Sequence, residues 1–253
     1  MKDIDLKELL EAGCHFGHQT NRWNPKAAGY IYGERGGVHV IDLVKTKAGL
    51  EAAGKYLFEL AKSGGTVIFV GTKRQARVVT EEAVKTVGTG KNFYYLLERW
   101  PGGLLTNFPV IKRNNLDAIV NLRNQINNNQ FVTKKEKLLA QRKLDKYDKV
   151  YGGLVGLEKL PEAIILIDVK KEDGAVREAI ATSVPMVAIC DTNVDPAPIN
   201  FAIPANDDAV GSIKIIVDYL VAAWLEGIKA KPKEKVVSDE AKEAGKGTKT
   251  GDS

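Results

Sequence analysis

Between Cys14 and Lys26 the chain reads Cys-His-Phe-Gly-His-Gln-Thr-Asn-Arg-Trp-Asn-Pro-Lys, packing metal-ligating, aromatic and cationic side chains into one short stretch. His15, Asn21, Arg22, Trp23 and Lys26 are the residue types that stack on unpaired bases and grip phosphates from a loop. Cys14 with His15 or His18 also has the elements of a nucleophilic dyad, but adjacent positions in a loop give it no geometric support. Further on, Asp191-Thr192-Asn193 and Asn206-Asp207-Asp208 each follow an apolar run of strand length, so both acidic turns belong at one edge of a sheet. If His18 reaches that edge, then His18, Asp191, Asp207 and Asp208 could surround one divalent ion, zinc or magnesium. The competing reading makes Asp208 the cap of a helix running from Ala209 to Leu220.

A second cluster, Arg99-Trp100-Pro101-Gly102-Gly103-Leu104-Leu105-Thr106-Asn107, again combines a cation, an indole and an amide with glycines that permit close backbone approach. Trp23 and Trp100 also fit the role of core anchors whose N–H groups are satisfied internally. The turn Val70-Gly71-Thr72-Lys73 stands where α/β proteins hold phosphates on free amides. Its motif fails, because Thr72 precedes Lys73 where a P-loop needs glycine, and no Gly-x-Gly-x-x-Gly occurs. Lys73, Arg74 and Arg77 still crowd a first helical turn, where cations oppose the helix dipole; a bound polyanion such as RNA phosphate would offset that cost. No Gly-x-Ser-x-Gly is present. The reading is therefore of a binding protein with no required cofactor, and not of an enzyme.

The elements that must carry these residues follow from periodicity. Asp5 is placed to cap a short helix bearing Leu6, Leu9 and Leu10, ended by Gly13, and Cys14 to Tyr32 reads as an ordered loop. Strands are expected at Val38 to Leu43, Thr66 to Val70, Phe93 to Leu97, Ala163 to Ile167, Met186 to Ile189 and Phe201 to Ile203. Helices are expected at Lys47 to Ser63, Lys73 to Val87 and Gly174 to Thr182. The alternation predicts an α/β core with a mostly parallel sheet flanked by helices.

Two segments break the rhythm. Phe108 to Val150 is polar and helical in period, with Leu116, Ile119, Val120 and Ile126 on one stripe and Ala140, Leu144, Tyr147 and Tyr151 on another. Thr133 with Glu136 is a capping-box signature opening the second half, so an inserted antiparallel helical hairpin is expected over 108–150. That arm holds ten Lys and Arg against four Asp and Glu, a net +6 that exceeds the +5 of the whole chain. Lys112 and Arg113 stand at its root. The segment from Lys229 to Ser253 is nearly free of large apolar groups and is expected to be a disordered tail.

With 253 residues and 44% hydrophobic content the chain can bury one sizeable core without disulfide or metal staples. Cys14 and Cys190 form no CxxC pair, no apolar run is long enough to span a bilayer, and the first residues lack a signal-peptide core. A cytoplasmic protein is expected. The pI near 9.0 favours an anionic partner only weakly.

Taken in order, HFGHQTNRWNPK from His15, YIYGERGGVHVIDLVKT from Tyr30, FVGTKRQA from Phe69, RWPGGLLTN from Arg99, TKKE from Thr133 and DTNVDPAPINFAIPANDDA from Asp191 resemble the bacterial-type small ribosomal subunit protein two family. The resemblance spans about residues 4 to 226. It implies a flavodoxin-like core over 1–107 and 151–228 bearing a coiled-coil hairpin at 108–150, with 229–253 as tail. It also implies a place on the ribosome in contact with small-subunit ribosomal RNA and neighbouring small-subunit proteins, including help in seating the large messenger-binding protein one. On that reading Arg22, Lys26, Arg35, Lys73, Arg74, Arg77, Arg99 and the hairpin cations neutralise phosphates, with Trp23 or His15 against nucleotides. Two other classes remain: a nucleotide-binding flavodoxin-like protein using the Gly71 turn, and a protein-only interaction module working through the hairpin.

Overall fold

The computed structural model describes residues 4–88 and 90–231. A short helix α1 (Leu6–Glu11) leads into strand β1 (Phe16–Gln19), and β2 (Ile31–Arg35) and β3 (Val38–Ile41) follow two 3-10 turns. These strands form a separate antiparallel sheet in the order β1-β3-β2. Two expectations are corrected here. Cys14 to Tyr32 is not all loop, and Val38 to Ile41 does not join the parallel sheet. The strands are too short and glycine-broken to carry a period, and Gly36 and Gly37, both at positive φ, fold β2 back onto β3. Asp5 occupies the cap position of α1 without a side-chain cap bond, while Gly13 has the left-handed φ of +79° expected of a helix stop.

The core sheet contains β4 (Val67–Val70), β5 (Phe93–Leu96), β6 (Ala163–Leu166), β7 (Met186–Cys190) and β8 (Phe201–Pro204), all parallel, in the order β5-β4-β6-β7-β8. Counted within the core this is second-first-third-fourth-fifth, the flavodoxin-like winding. Because both faces are covered, β4, β6 and β7 are apolar and buried along their whole length. Val67, Phe69, Ile165, Val187 and Ile189 pack beneath α2 (Leu43–Lys62), α3 (Arg74–Val87) and α8 (Val210–Ala230). The alternate residues Ile68, Val70, Ile164, Leu166 and Ala188 pack with Ala175, Val176 and Ala179 of α7 (Asp173–Thr182). Helix α2 starts four residues before the expected Lys47, because the Asp42 carboxylate accepts a bond from Val44 N at 3.0 Å and caps it there.

Between β5 and β6 the chain leaves the sheet as α4 (Phe108–Ile111), one π-helical turn over Lys112–Leu116, α5 (Asp117–Asn127) and α6 (Lys134–Tyr151). Thr133 and Glu136 form the capping box, each side chain accepting the other's backbone N–H. Leu116, Ile119 and Leu144 are buried and an Arg123–Asp148 ion pair of 2.7 Å clasps the two helices, but Val120 is exposed and lies off the expected stripe. Helix α8 continues through Lys229 and Ala230, so the expected tail begins later; its remainder, 232–253, lies outside the described residues. No helix among the described residues is long and apolar enough to cross a membrane.

The seat of α8 on α2 depends on Gly227, where an added Cβ would lie 2.3 Å from the Phe58 carbonyl oxygen and 2.8 Å from the Ala61 Cβ. Gly227→Ala is expected to force the helices apart and to lower stability by about 1–3 kcal/mol. The check is a urea midpoint that falls at unchanged m-value.

Candidate functional site

Each strand of the core delivers polar residues to its carboxyl end, and β1 brings one more from outside. Lys73, after β4, places its Nζ 3.2 Å from Asp168 after β6 and 2.8 Å from both Asp207 and Asp208 after β8. His18 of β1 holds Asp191 at 3.0 Å through Nδ1 and lies 3.6 Å from Asp208 through Nε2, with the Asn193 amide 2.9 Å from Nε2. His18, Asp191 and Asp207 each offer a ligand atom within 4.8 Å of the others. The sequence reading of these acidic turns as one sheet edge facing His18 thus matches the geometry. Asp208 does not cap the helix, which starts without a side-chain cap bond; in the turn before it the Asn206 side chain accepts from Asp208 N at 2.7 Å and Ala209 N at 2.9 Å.

The charges in this cluster do not balance, since four carboxylates face one ammonium and one imidazole. The hydrogen bond to Asp191 raises the His18 pKa against the opposing effect of burial, helped by the charges of Asp191, Asp207 and Asp208. Burial works against a charged Lys73, but its bonds to Asp207 and Asp208 and the charge of Asp168 outweigh it and raise its pKa. Asp207 is only 1% exposed; burial and then the charge of Asp168 push its pKa up to about 7, opposed by Lys73. Thr72 and Glu172 are buried beside the cluster, the hydroxyl donating to the carboxylate, whose pKa burial raises.

The segment 14–26 is fastened to this edge. His18 N donates to Thr192 Oγ1 at 2.9 Å and Asn24 N to the Thr192 carbonyl at 2.7 Å. A Cβ at Gly17 would come within 2.7 Å of the Thr192 methyl carbon, so only glycine lets β1 lie this close. Asn21, Arg22 and Lys26 are exposed, Lys26 reaching Asp195 at 2.5 Å. Trp23 is 38% exposed, its ring 5.2 Å from that of His39. His15 is partly buried against Phe16, and burial lowers its pKa. Together with Leu10, Tyr32, Arg35 and Val40 these two line a groove of about 750 Å³.

Glu178 of α7 organises the second cluster. Its carboxylate accepts from Trp100 Nε1 at 2.9 Å, Gly103 N at 2.7 Å, Leu105 N at 2.9 Å and Thr106 N at 3.4 Å. Partial burial opposes its charge, yet these bonds together hold its pKa below the ordinary glutamate value. Leu104 and Leu105 are buried, while Arg99 and Asn107 stay exposed.

Several expectations shift as a result. Lys73 was expected on phosphate, but its ammonium is enclosed by three carboxylates. Arg77 reaches Glu98 at 3.1 Å and the Thr72 carbonyl at 3.3 Å, so of the three cations at that helix start Arg74 is the exposed one. The Trp100 N–H is spent on Glu178, the internal satisfaction that the sequence left open. Arg113 is exposed and Lys112 partly so, at the root of the arm. Cys14 and Cys190 are free and buried, and burial raises both thiols, Cys190 to about 12, which removes the basis for a nucleophile. Sequence reasoning missed Asp168 and Glu178. Asp168 carried a usable signal, since it follows an apolar run just as Asp191 does.

Residues 9–227 match the family model described as ribosomal protein S2. The chain belongs to the ribosomal protein S2 family. Among its relatives, the small ribosomal subunit protein uS2 of Dictyoglomus thermophilum is 47% identical over 92% of this chain and 94% of its own length. Those of Bacteroides thetaiotaomicron and Chloroflexus aurantiacus are 44% identical over 96% and 87%, and 45% over 88% and 93%, respectively. Membership agrees with the flavodoxin-like winding that the resemblance implies.

The cluster makes stability depend on pH in a defined direction. Because folding lifts Asp207 from its ordinary 3.8 to about 7, the folded chain holds an extra proton between those values. Stability therefore falls as pH rises through that interval. His18, also raised, adds a contribution that is full below the ordinary imidazole value and is lost as pH climbs through its folded value. In chelator-treated protein, Asp207→Asn is expected to flatten the decline between pH 4 and 8, measured as the wild-type-minus-variant difference in urea unfolding free energy.

Proposed function

We propose that this member of the ribosomal protein S2 family is a structural constituent of the small ribosomal subunit, in the cytoplasm, and binds small-subunit ribosomal RNA through the segment 14–26, its docking loop, and through its arm. The observation that carries this reading is the division of cations. Lys73, at the crevice where α/β proteins hold ligands, is consumed by internal carboxylates, whereas Arg22, Arg35, Arg74, Arg99 and Arg113 face solvent, as does Lys26 beside its surface partner Asp195. The arm adds its excess of six positive charges. Cations so placed neutralise phosphates and position the protein on folded RNA, with affinity that falls steeply with salt. Such a role involves no catalytic step. The nucleotide-binding alternative is disfavoured because an anionic ligand at the Gly71 turn would meet Asp168, Asp207 and Asp208.

A protein neighbour is supported by a different surface. Tyr32 is 81% exposed, and Leu10, Phe16 and Val44 are exposed as well and line two adjoining grooves with it. An apolar patch of this kind is a protein-docking feature, and the large messenger-binding protein one is the neighbour we assign to it. The donor set of His18, Asp191 and Asp207, from which Asp208 is drawn off to Lys73, fits zinc, which takes imidazole nitrogen and carboxylate oxygen together, better than the all-oxygen shell of magnesium. Such an ion would offset the surplus of carboxylates and brace the docking loop through His18.

Replacing Arg22 and Lys26 together by alanine is expected to reduce incorporation into small subunits about tenfold or more, since two phosphate contacts are lost while the circular dichroism spectrum stays native. Normal occupancy of the double variant in purified subunits would sink the assignment. For the ion, elemental analysis of dialysed protein is expected to find zinc that an Asp207→Asn, Asp208→Asn variant has lost; equal metal content in the two removes the proposal.

A further inference from the structure

We infer that Glu178 is a positioning residue that aims the Arg99–Asn107 loop and, through it, the root of the helical arm. Resting on the RNA-binding reading, it assigns a role to a side chain whose carboxylate is turned to the chain's own donors. The loop turns its amides inward: Gly103 N, Leu105 N and Thr106 N converge with the Trp100 indole N–H on one carboxylate, so that both oxygens are occupied. A concave set of N–H groups is a nest that selects an anion. Here the anion is supplied by the chain, from a helix 72 to 78 residues away in sequence.

The loop passes directly into the arm. Gly103, at φ +85°, turns the backbone so that its carbonyl accepts from Asn107 N at 2.8 Å, and the Asn107 carbonyl then accepts from Val110 N and Ile111 N at 3.2 Å to open α4. The exposed side chains of Arg99 and Asn107 flank the clasped segment, and Lys112 and Arg113 follow within the first turns of the arm. Buried Leu104 and Leu105 hold the segment against the core by apolar contact, which fixes depth but not direction. The directional bonds come from Glu178. Without its carboxylate, several donors in a half-enclosed site must find water, and the loop must open to admit it.

The test is amide hydrogen exchange followed by NMR on the full chain, together with retention on small-subunit RNA. In Glu178→Gln and Glu178→Ala, exchange at Gly103 and Leu105 is expected to rise roughly tenfold or more, with faster exchange spreading through 108–116 and unchanged rates in β4 and β6. Glutamine is not expected to rescue, since its amide nitrogen would face donors. Trp100→Phe, which keeps the carboxylate and its backbone bonds, is expected to produce a smaller rise and guards against a Glu178 variant that fails to fold. RNA affinity of the Glu178 variants is expected to fall several-fold. Wild-type exchange in the loop, or a loosened loop with an unchanged arm root, overturns the inference. Wild-type RNA binding by Glu178→Gln beside weak binding by the Arg22→Ala, Lys26→Ala pair also overturns it and leaves the RNA reading standing. Altered exchange with RNA binding unchanged in every variant supports the clasp and overturns the RNA reading instead.

Discussion

The Lys73 ammonium sits among carboxylates from the ends of two strands, and the arrangement of this molecule depends on keeping it there. With only 14% of the side chain exposed, its attraction to Asp168, Asp207 and Asp208 is poorly screened by water. Removing it would leave buried carboxylates unneutralised, an imbalance that costs about 3–5 kcal/mol in buried pairs of this kind. His18 closes the same cluster from β1, so one electrostatic knot joins the small antiparallel sheet to the carboxyl edge of the large one.

That knot occupies the edge at which the same winding elsewhere seats nucleotides. The switch between β4 and β6 still makes a crevice, and Gly71 still brings the backbone close, with an added Cβ placed 3.0 Å from the Thr80 Cβ. What fills the crevice is the chain's own salt-bridged side chains. On the proposed reading the recognition surface lies outward, on the loop braced on Thr192 and on the arm whose root is clasped by Glu178. In both places an internal polar contact from a distant segment fixes a backbone whose cations point to solvent.

The parallel core was legible because β4, β6 and β7 are covered on both faces and must therefore read as unbroken apolar runs. The arm was legible through its stripes and the Thr133–Glu136 box, both local signals. The site was legible in part: acidic turns after the runs that end at Ile189 and Ile203 mark the sheet edge, which put Asp191 and Asp207 side by side, whereas His18 joined them only on the condition that it reached that edge. Lys73 was misplaced because its partners lie 95 to 135 residues ahead, and a cation at a helix start looks the same whether phosphate or Asp207 neutralises it. Glu178 lies within a helix turn that any amphipathic pattern would allow, so nothing local marks it as an anion for a loop. The small sheet escaped notice because its four- and five-residue strands, interrupted by Gly17 and Gly33, carry too little alternation to register a period.

The most direct measurement is a map of ultraviolet crosslinks between this protein and RNA in purified small subunits, read as modified peptides by mass spectrometry. Adducts within Asn21–Lys26, Arg99–Asn107 and the arm, with none at Lys73, Asp168 or Asp207, are the expected result. Adducts concentrated at the Lys73 crevice, or a protein that sediments apart from the subunits and carries none, would contradict the account.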